Sequence, residues 1–136
     1  MVTSSNRGKD AEGLLRKHLQ TLCTSTSKAY YRLPDAHSGS LQPTLADFFY
    51  LDQGKFTLLE CKEVAHDFRL PHSNFDAAQV ARMRLFQLAG AGAVVVVYFS
   101  KIKLWRGYSI DRFVERIGGS WDLRDTEPTT LQELLK

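Results

Sequence analysis

Asp47, Glu60 and Lys62 are the residues whose types and spacing could do chemistry. They lie in Ala46-Asp-Phe-Phe-Tyr-Leu-Asp-Gln-Gly-Lys-Phe-Thr-Leu-Leu-Glu-Cys-Lys62, which reads as an apolar strand, a tight turn and a second strand ending in Glu-x-Lys. Period-2 alternation puts Phe56, Leu58, Glu60 and Lys62 on one face of the second strand. A two-residue turn at Gln53-Gly54 pairs residues whose numbers sum to 107, so Asp47 falls opposite Glu60. Directly opposed Cβ atoms stand about 4.5–5.5 Å apart. Two carboxylates that close weaken a sheet unless something positive lies between them. A hard divalent cation with oxygen ligands meets that need, with the Lys62 ammonium beside it. Such a cation polarises a phosphate and lowers the pKa of a bound water. A neighbouring ammonium orients that water or stabilises charge on phosphorus. The pattern therefore suits phosphodiester hydrolysis. The alternative is a surface hairpin with a stray Asp and a solvated Glu-x-Lys; the pairing register and the apolar flanks both favour a site.

The remaining elements must position these three residues. Residues 5–23 read as an amphipathic helix in which Ala11, Leu14, Leu15, His18, Leu19 and Leu22 follow 3.6 periodicity, with Ser4 or Ser5 able to cap its start. Ala29 to Leu33 is a short strand, and Pro34 to Pro43 a loop rich in Pro, Gly, Ser and His. After the hairpin, Glu63 to Asn74 reads as irregular. Ser73 or Asn74 is expected to cap a helix over residues 76–89, ended by Gly90 and Gly92. Ala93 to Phe99 is apolar on both faces, the mark of a central strand covered on two sides, with Ile102 to Trp105 as its expected hairpin partner. Ser109 to Ile117 reads as a short helix, and Thr130-Leu-Gln-Glu133 as a capping box opening a final turn or two. The order α-β-β-β-α-β-β-α predicts an α/β fold, a mixed β-sheet flanked by helices.

The 136 residues are expected to form one domain with a real core. Hydrophobic content of 43% and charged content of 24% are ordinary for a globular protein. No apolar run approaches the roughly 20 residues that span a bilayer, so no membrane partner is expected. No signal-peptide pattern opens the chain, and Cys23 and Cys61 have no metal or redox spacing, so both read as buried thiols in a reducing, cytoplasmic setting. The net charge of +3 permits nucleic-acid binding without requiring it. The basic residues cluster as Arg7, Lys9, Arg16 and Lys17, as Arg82 and Arg84, and as Lys101, Lys103 and Arg106; each cluster alone reads equally as a solvated face. His37, His66 and His72 sit in loops at no zinc spacing, and Trp105 and Trp121 read as core or interface residues.

Three segments together resemble the RecU-type Holliday junction resolvases, including small phage-type relatives, within the PD-(D/E)xK nucleases. Asn6-Arg7-Gly8-Lys9-Asp10-Ala11-Glu12 is similar to that family's N-R-G-x-x-x-E opening. Pro43 to Asp47 with Glu60-Cys61-Lys62-Glu63 is similar to its strand-borne Asp and E-x-K-E hairpin. Phe68 to Phe75, followed by Asp76-Ala-Ala-Gln79, resembles its F-P-L-x-N-F-x-x-H-Q segment, with one residue inserted and Ala78 in place of the His. The literal Pro34-Asp35 lies in a loop 25 residues before Glu60, so Asp47 is taken as the metal Asp.

The resemblance implies a restriction-endonuclease-like fold and a Mg²⁺-dependent endonuclease, with Mn²⁺ as a possible substitute, acting as a homodimer on branched DNA, a four-way junction. Two symmetric nicks suit a two-fold dimer. Asp47 and Glu60 would be metal ligands, Lys62 catalytic, and Glu12 a further acidic contributor to metal and catalysis. Glu12 reads otherwise as an exposed Glu favoured by the helix dipole. Gln79 would contact the site or the phosphate, and otherwise reads as a solvated Gln. Arg7, Lys9, Arg16, His37, Arg69 and Arg82 would contact DNA, with Arg7 a bidentate phosphate clamp. Other nucleases on the same fold, of restriction or repair type, and a non-catalytic DNA-binding subunit are the alternatives.

Overall fold

A computed structural model describes residues 4–24, 26–34 and 44–135, with side chains from residue 10 onward. Its frame is a five-stranded sheet in the order β1-β2-β3-β5-β6, built from β1 (Lys28–Arg32), β2 (Phe48–Asp52), β3 (Lys55–Val64), β5 (Gly92–Phe99) and β6 (Leu104–Ser109). β3 and β5 run parallel, and the other neighbours are antiparallel. α2 (Ala77–Leu88) makes the crossover between the parallel pair. α1 (Ser4–Leu22) precedes the sheet, and α3 (Leu131–Leu134) closes the chain. A second, two-stranded sheet pairs β4 (Arg69–Pro71) with β7 (Ser120–Asp122).

The β2–β3 hairpin has the register the turn predicts. Gln53 and Gly54 take φ values of 49° and 85°, the left-handed pair that matches strand twist in a two-residue turn. The ladder then runs from Asp52↔Lys55 to Phe48↔Leu59. One residue further along lie Asp47 and Glu60.

Alternation along β3 assigns its side chains to two cores. Leu59 and Cys61 pack with Phe48, Tyr50, Val96 and Trp105 under Ala11, Leu15 and Leu19 of α1. Leu58 packs on the other face with Val95, Val97, Val80 and Met83 of α2, and Phe75 and Phe113. Glu60 and Lys62 are in phase with Leu58, so the site lies on the α2 face. Val95, Val96 and Val97 are all buried, as a strand covered on both sides requires.

Several local expectations differ from the structure. Asp76, not Ser73 or Asn74, caps α2; its Oδ1 accepts from the Ala78 amide at 3.0 Å. The partner of β5 begins at Leu104, because Lys103 takes φ 56° and the Ile102 and Lys103 amides both donate to the Phe99 carbonyl in the turn. Ser109–Ile117 is a 3-10 turn over Ile110–Phe113 rather than an α-helix. The segment read as irregular holds the last residues of β3 and all of β4. Thr130 does cap α3, its side chain accepting from the Glu133 amide. Trp105 and Trp121 are buried. Cys61 is buried and Cys23 half-buried, and both are free thiols. No helix among the described residues is long and apolar enough to cross a membrane.

Candidate active site

The site forms where β2 begins and β3 nears its end. Asp47 precedes the first ladder pair, and its Oδ2 accepts from the Cys61 amide at 2.8 Å. Its own amide donates to the Leu59 carbonyl. The carboxylate is thus tied to the strand that carries Glu60. Glu60 is 5% exposed, and its Oε1 is buried without a hydrogen-bond partner. Lys62 Nζ stands 3.2 Å from Glu60 Oε2, donates to the Asn74 carbonyl at 2.7 Å and lies 4.5 Å from the centre of the Phe75 ring.

The electrostatics follow from burial. Burial first, then the charge of Asp47, pushes the Glu60 carboxyl up to about 8, against the pull of Lys62 and of a Gln79 hydrogen bond. Asp47 is raised as well, by burial first and by the charge of Glu12, against the Cys61 amide, Arg32 and Lys62. Both carboxyls are raised although Lys62 and, at Asp47, Arg32 stand near, so the site is short of positive charge. The orphaned, buried Glu60 oxygen beside the half-buried Asp47 carboxylate makes a pair of hard donors that fits a divalent cation.

Gln79, in the first turn of α2 and buried, is in this group through its bond to Glu60. Glu12 approaches from α1 but is held by Arg32 Nε. Among the described residues no three His, Cys, Asp or Glu side chains converge as a ready ligand set. Arg32 also donates to the carbonyls of Leu33 and, at 3.5 Å, Asp47. Sequence reasoning missed Arg32. Its signal is only the end of β1, where it pairs with Phe48, next to Asp47.

The expected DNA contacts are dispersed. Arg16 is exposed on α1 and lines a surface trough with Asp10, Lys17, Glu63 and Tyr98. Arg69 lies on β4, with NH1 donating to Ser120 and an ion pair to Asp122. Arg82 is half-buried on α2. The side chains of Arg7 and Lys9, together with His37 and Asp35, lie outside the described residues.

No family model matches the chain, and no curated protein sequence matches it. Among solved structures, it is similar to Hjc, a Holliday junction resolvase from the archaeal hyperthermophile Archaeoglobus fulgidus. The two share 19% sequence identity with a TM-score of 0.65, over 93% of this chain and 98% of that one. The chain therefore has the mixed α/β, restriction-endonuclease-like fold of that resolvase.

Proposed function

We propose that this protein is a Mg²⁺-dependent endodeoxyribonuclease that resolves four-way DNA junctions as a homodimer, in recombination and repair. The observation that carries the reading is the pairing of buried Glu60 with half-buried Asp47, with Lys62 at its edge, on a fold shared with a junction resolvase. Asp47 and Glu60 would hold the cation, with Glu12 able to join if it leaves Arg32. When bound, Mg²⁺ supplies Lewis acidity toward a phosphate oxygen and a more acidic water.

The protein's own groups do the rest. Glu60 fixes the near side of Lys62, and the Asn74 carbonyl fixes the far side, so the ammonium has one remaining donor direction. That donor meets a non-bridging oxygen of the scissile phosphate, where negative charge grows as water attacks. Gln79 orients Glu60 from the first turn of α2. Recognition rests on shape and phosphate positions rather than on base edges.

Exposed apolar residues support the homodimer. Leu85, Leu88 and Ile117 are 63%, 71% and 72% exposed, and with Phe86 and Val114 they gather on α2 and the segment after the 3-10 turn. Leu85, Leu88 and Val114 themselves line a largely apolar groove of about 290 Å³, together with Val80, Arg84 and Arg116. An exposed apolar surface of this kind suits an isologous interface between two copies. A supercoiled plasmid carrying an extruded cruciform tests the function: Mg²⁺-dependent linear product supports it, and an uncut plasmid removes it.

A further inference from the structure

We infer that Arg116 is a positioning residue for Lys62, acting through the His72–Phe75 turn; the inference rests on reading Lys62 as the ammonium that meets the scissile phosphate. Arg116 lies beyond the 3-10 turn Ile110–Phe113, far from Lys62 in sequence. Its NH1 donates to the His72 carbonyl at 3.0 Å, and its NH2 donates to the Phe75 carbonyl. These carbonyls flank Asn74, whose own carbonyl accepts from Lys62 Nζ at 2.7 Å. The Phe75 ring lies 4.5 Å from the same Nζ. One guanidinium therefore holds both ends of a four-residue turn, and that turn holds the ammonium.

Ring packing also holds the turn, with the His72 ring 4.3 Å from that of Trp121, but no other side chain bonds its carbonyls at both ends. The 3-10 residues His72–Asn74 include no buried residue. Phe75 is buried and anchors one end. The other bonds that set the shape are backbone ones, His72 to Gly119 at 3.0 Å and Phe75 to His72 at 3.2 Å. The Arg116 guanidinium itself lies over the Trp121 ring, 5.1 Å from its centre, which limits the orientations open to the fork. Charge-assisted bonds from a fixed fork are the stronger kind. Without them the Asn74 carbonyl is free to turn away. Lys62 would then have only Glu60, 3.2 Å away, and would settle onto it. That contact neutralises a carboxylate needed for the cation and turns the ammonium away from the phosphate.

The same turn leads into Asp76, the cap of α2, whose first turn carries Gln79. Arg116 thus lies behind both groups that touch Glu60. It also lines the apolar groove between α2 and the following segment.

The test compares Arg116→Met, Arg116→Lys and Arg112→Met. Arg112 is a neighbouring control: it binds the Asp122 carbonyl at 2.6 Å and Asp125, in the same part of the fold. Two readouts are needed. One is the Lys62 ammonium signal in protein labelled with ¹⁵N,¹³C-lysine, assigned by its loss in Lys62→Arg. The other is single-turnover cleavage of a four-way junction beside gel-shift affinity. Arg116→Met should move the Lys62 signal toward those of solvated lysines and slow cleavage by about 100-fold at unchanged affinity. Arg116→Lys should recover part of both, and Arg112→Met should match wild type. A wild-type Lys62 signal in folded Arg116→Met overturns the inference, as do equal effects of Arg112→Met and Arg116→Met. If Arg116→Met does not fold, Arg116→Lys decides: a shifted Lys62 signal supports the inference, and an unshifted one overturns it. A wild type that cleaves no DNA removes the nuclease reading, while the Lys62 signal still judges Arg116.

Discussion

The Asp47 carboxylate accepts a hydrogen bond from the Cys61 amide at 2.8 Å, one residue past the last ladder pair of β2 and β3. A side chain that would otherwise repel Glu60 is thereby fixed beside it. Cys61 sits between Glu60 and Lys62, so this bond locks Asp47 to the strand that carries both.

Asp47→Asn should abolish cleavage and spare junction binding. The Asn oxygen can still accept from the Cys61 amide, so the hairpin keeps its geometry. One charge is lost beside Glu60, which removes a cation ligand and relieves repulsion. Cleavage at saturating Mg²⁺ should fall to background, with gel-shift affinity and thermal midpoint equal to or above wild type. Wild-type cleavage by Asp47→Asn would reassign the site.

Lys62→Ala should lower turnover far more than DNA affinity. Lys62 is one of 18 Lys and Arg residues, so its share of phosphate binding is small. Its share of transition-state stabilisation should be about 2–4 kcal/mol. Single-turnover rates and gel-shift affinities separate the two. Equal losses in both would make Lys62 a simple phosphate contact.

The carboxylate pair should make the metal-free protein sensitive to alkali. Glu60 titrates near 8 in the folded state, against an ordinary 4.5. Between those values the folded chain holds a proton that the unfolded chain has released, so stability falls as pH rises through this window. Glu60→Gln should remove the share of the dependence that Glu60 carries. In chelator, urea unfolding should show little change from wild type near pH 5 and a gain of a few kcal/mol near pH 9. For the same reason Mg²⁺ affinity should rise with pH toward 8 and binding should release protons, a calorimetric signal that varies with buffer. A variant with the wild-type pH profile would contradict the raised Glu60 carboxyl.

The Asp47–Glu60 pair was legible because a short turn fixes it. Gln53-Gly54 sets the register, and alternation then sets the face of every residue from Phe48 to Lys62. The Arg32–Glu12 pair was not legible, since it joins a helix to a strand and neither period sets one against the other. The β4–β7 sheet was missed because each strand has three residues and no short turn joins them: Arg69 meets Asp122 from far along the chain. Arg116 carried no local signal, because it acts on backbone carbonyls, which no side-chain pattern marks. The cap of α2 was misplaced among neighbouring candidates. Asp76 is the residue whose extended φ and ψ suit a cap.

Mixed dimers should nick but rarely resolve. If each subunit carries one complete site, wild type paired with Asp47→Asn cuts one strand of a plasmid cruciform and leaves open circles. Wild type makes two cuts in one binding event and yields linear product. Linearisation by mixed dimers as efficient as wild type would mean that the sites are not one per subunit or that the active unit is not a dimer. Leu88→Glu and Ile117→Glu, which charge the exposed apolar face, should shift the protein to monomer in sedimentation.

The central claim is that the Asp47–Glu60–Lys62 group cuts four-way DNA with Mg²⁺, and a substrate panel tests it most directly. A synthetic four-way junction, a linear duplex and a flap are incubated with wild type and Asp47→Asn, each with and without Mg²⁺. Paired cuts near the branch point of the junction alone, requiring both Mg²⁺ and Asp47, are the predicted result. Equal cutting of duplex or flap, or cutting of the junction by Asp47→Asn or without a divalent cation, would contradict it.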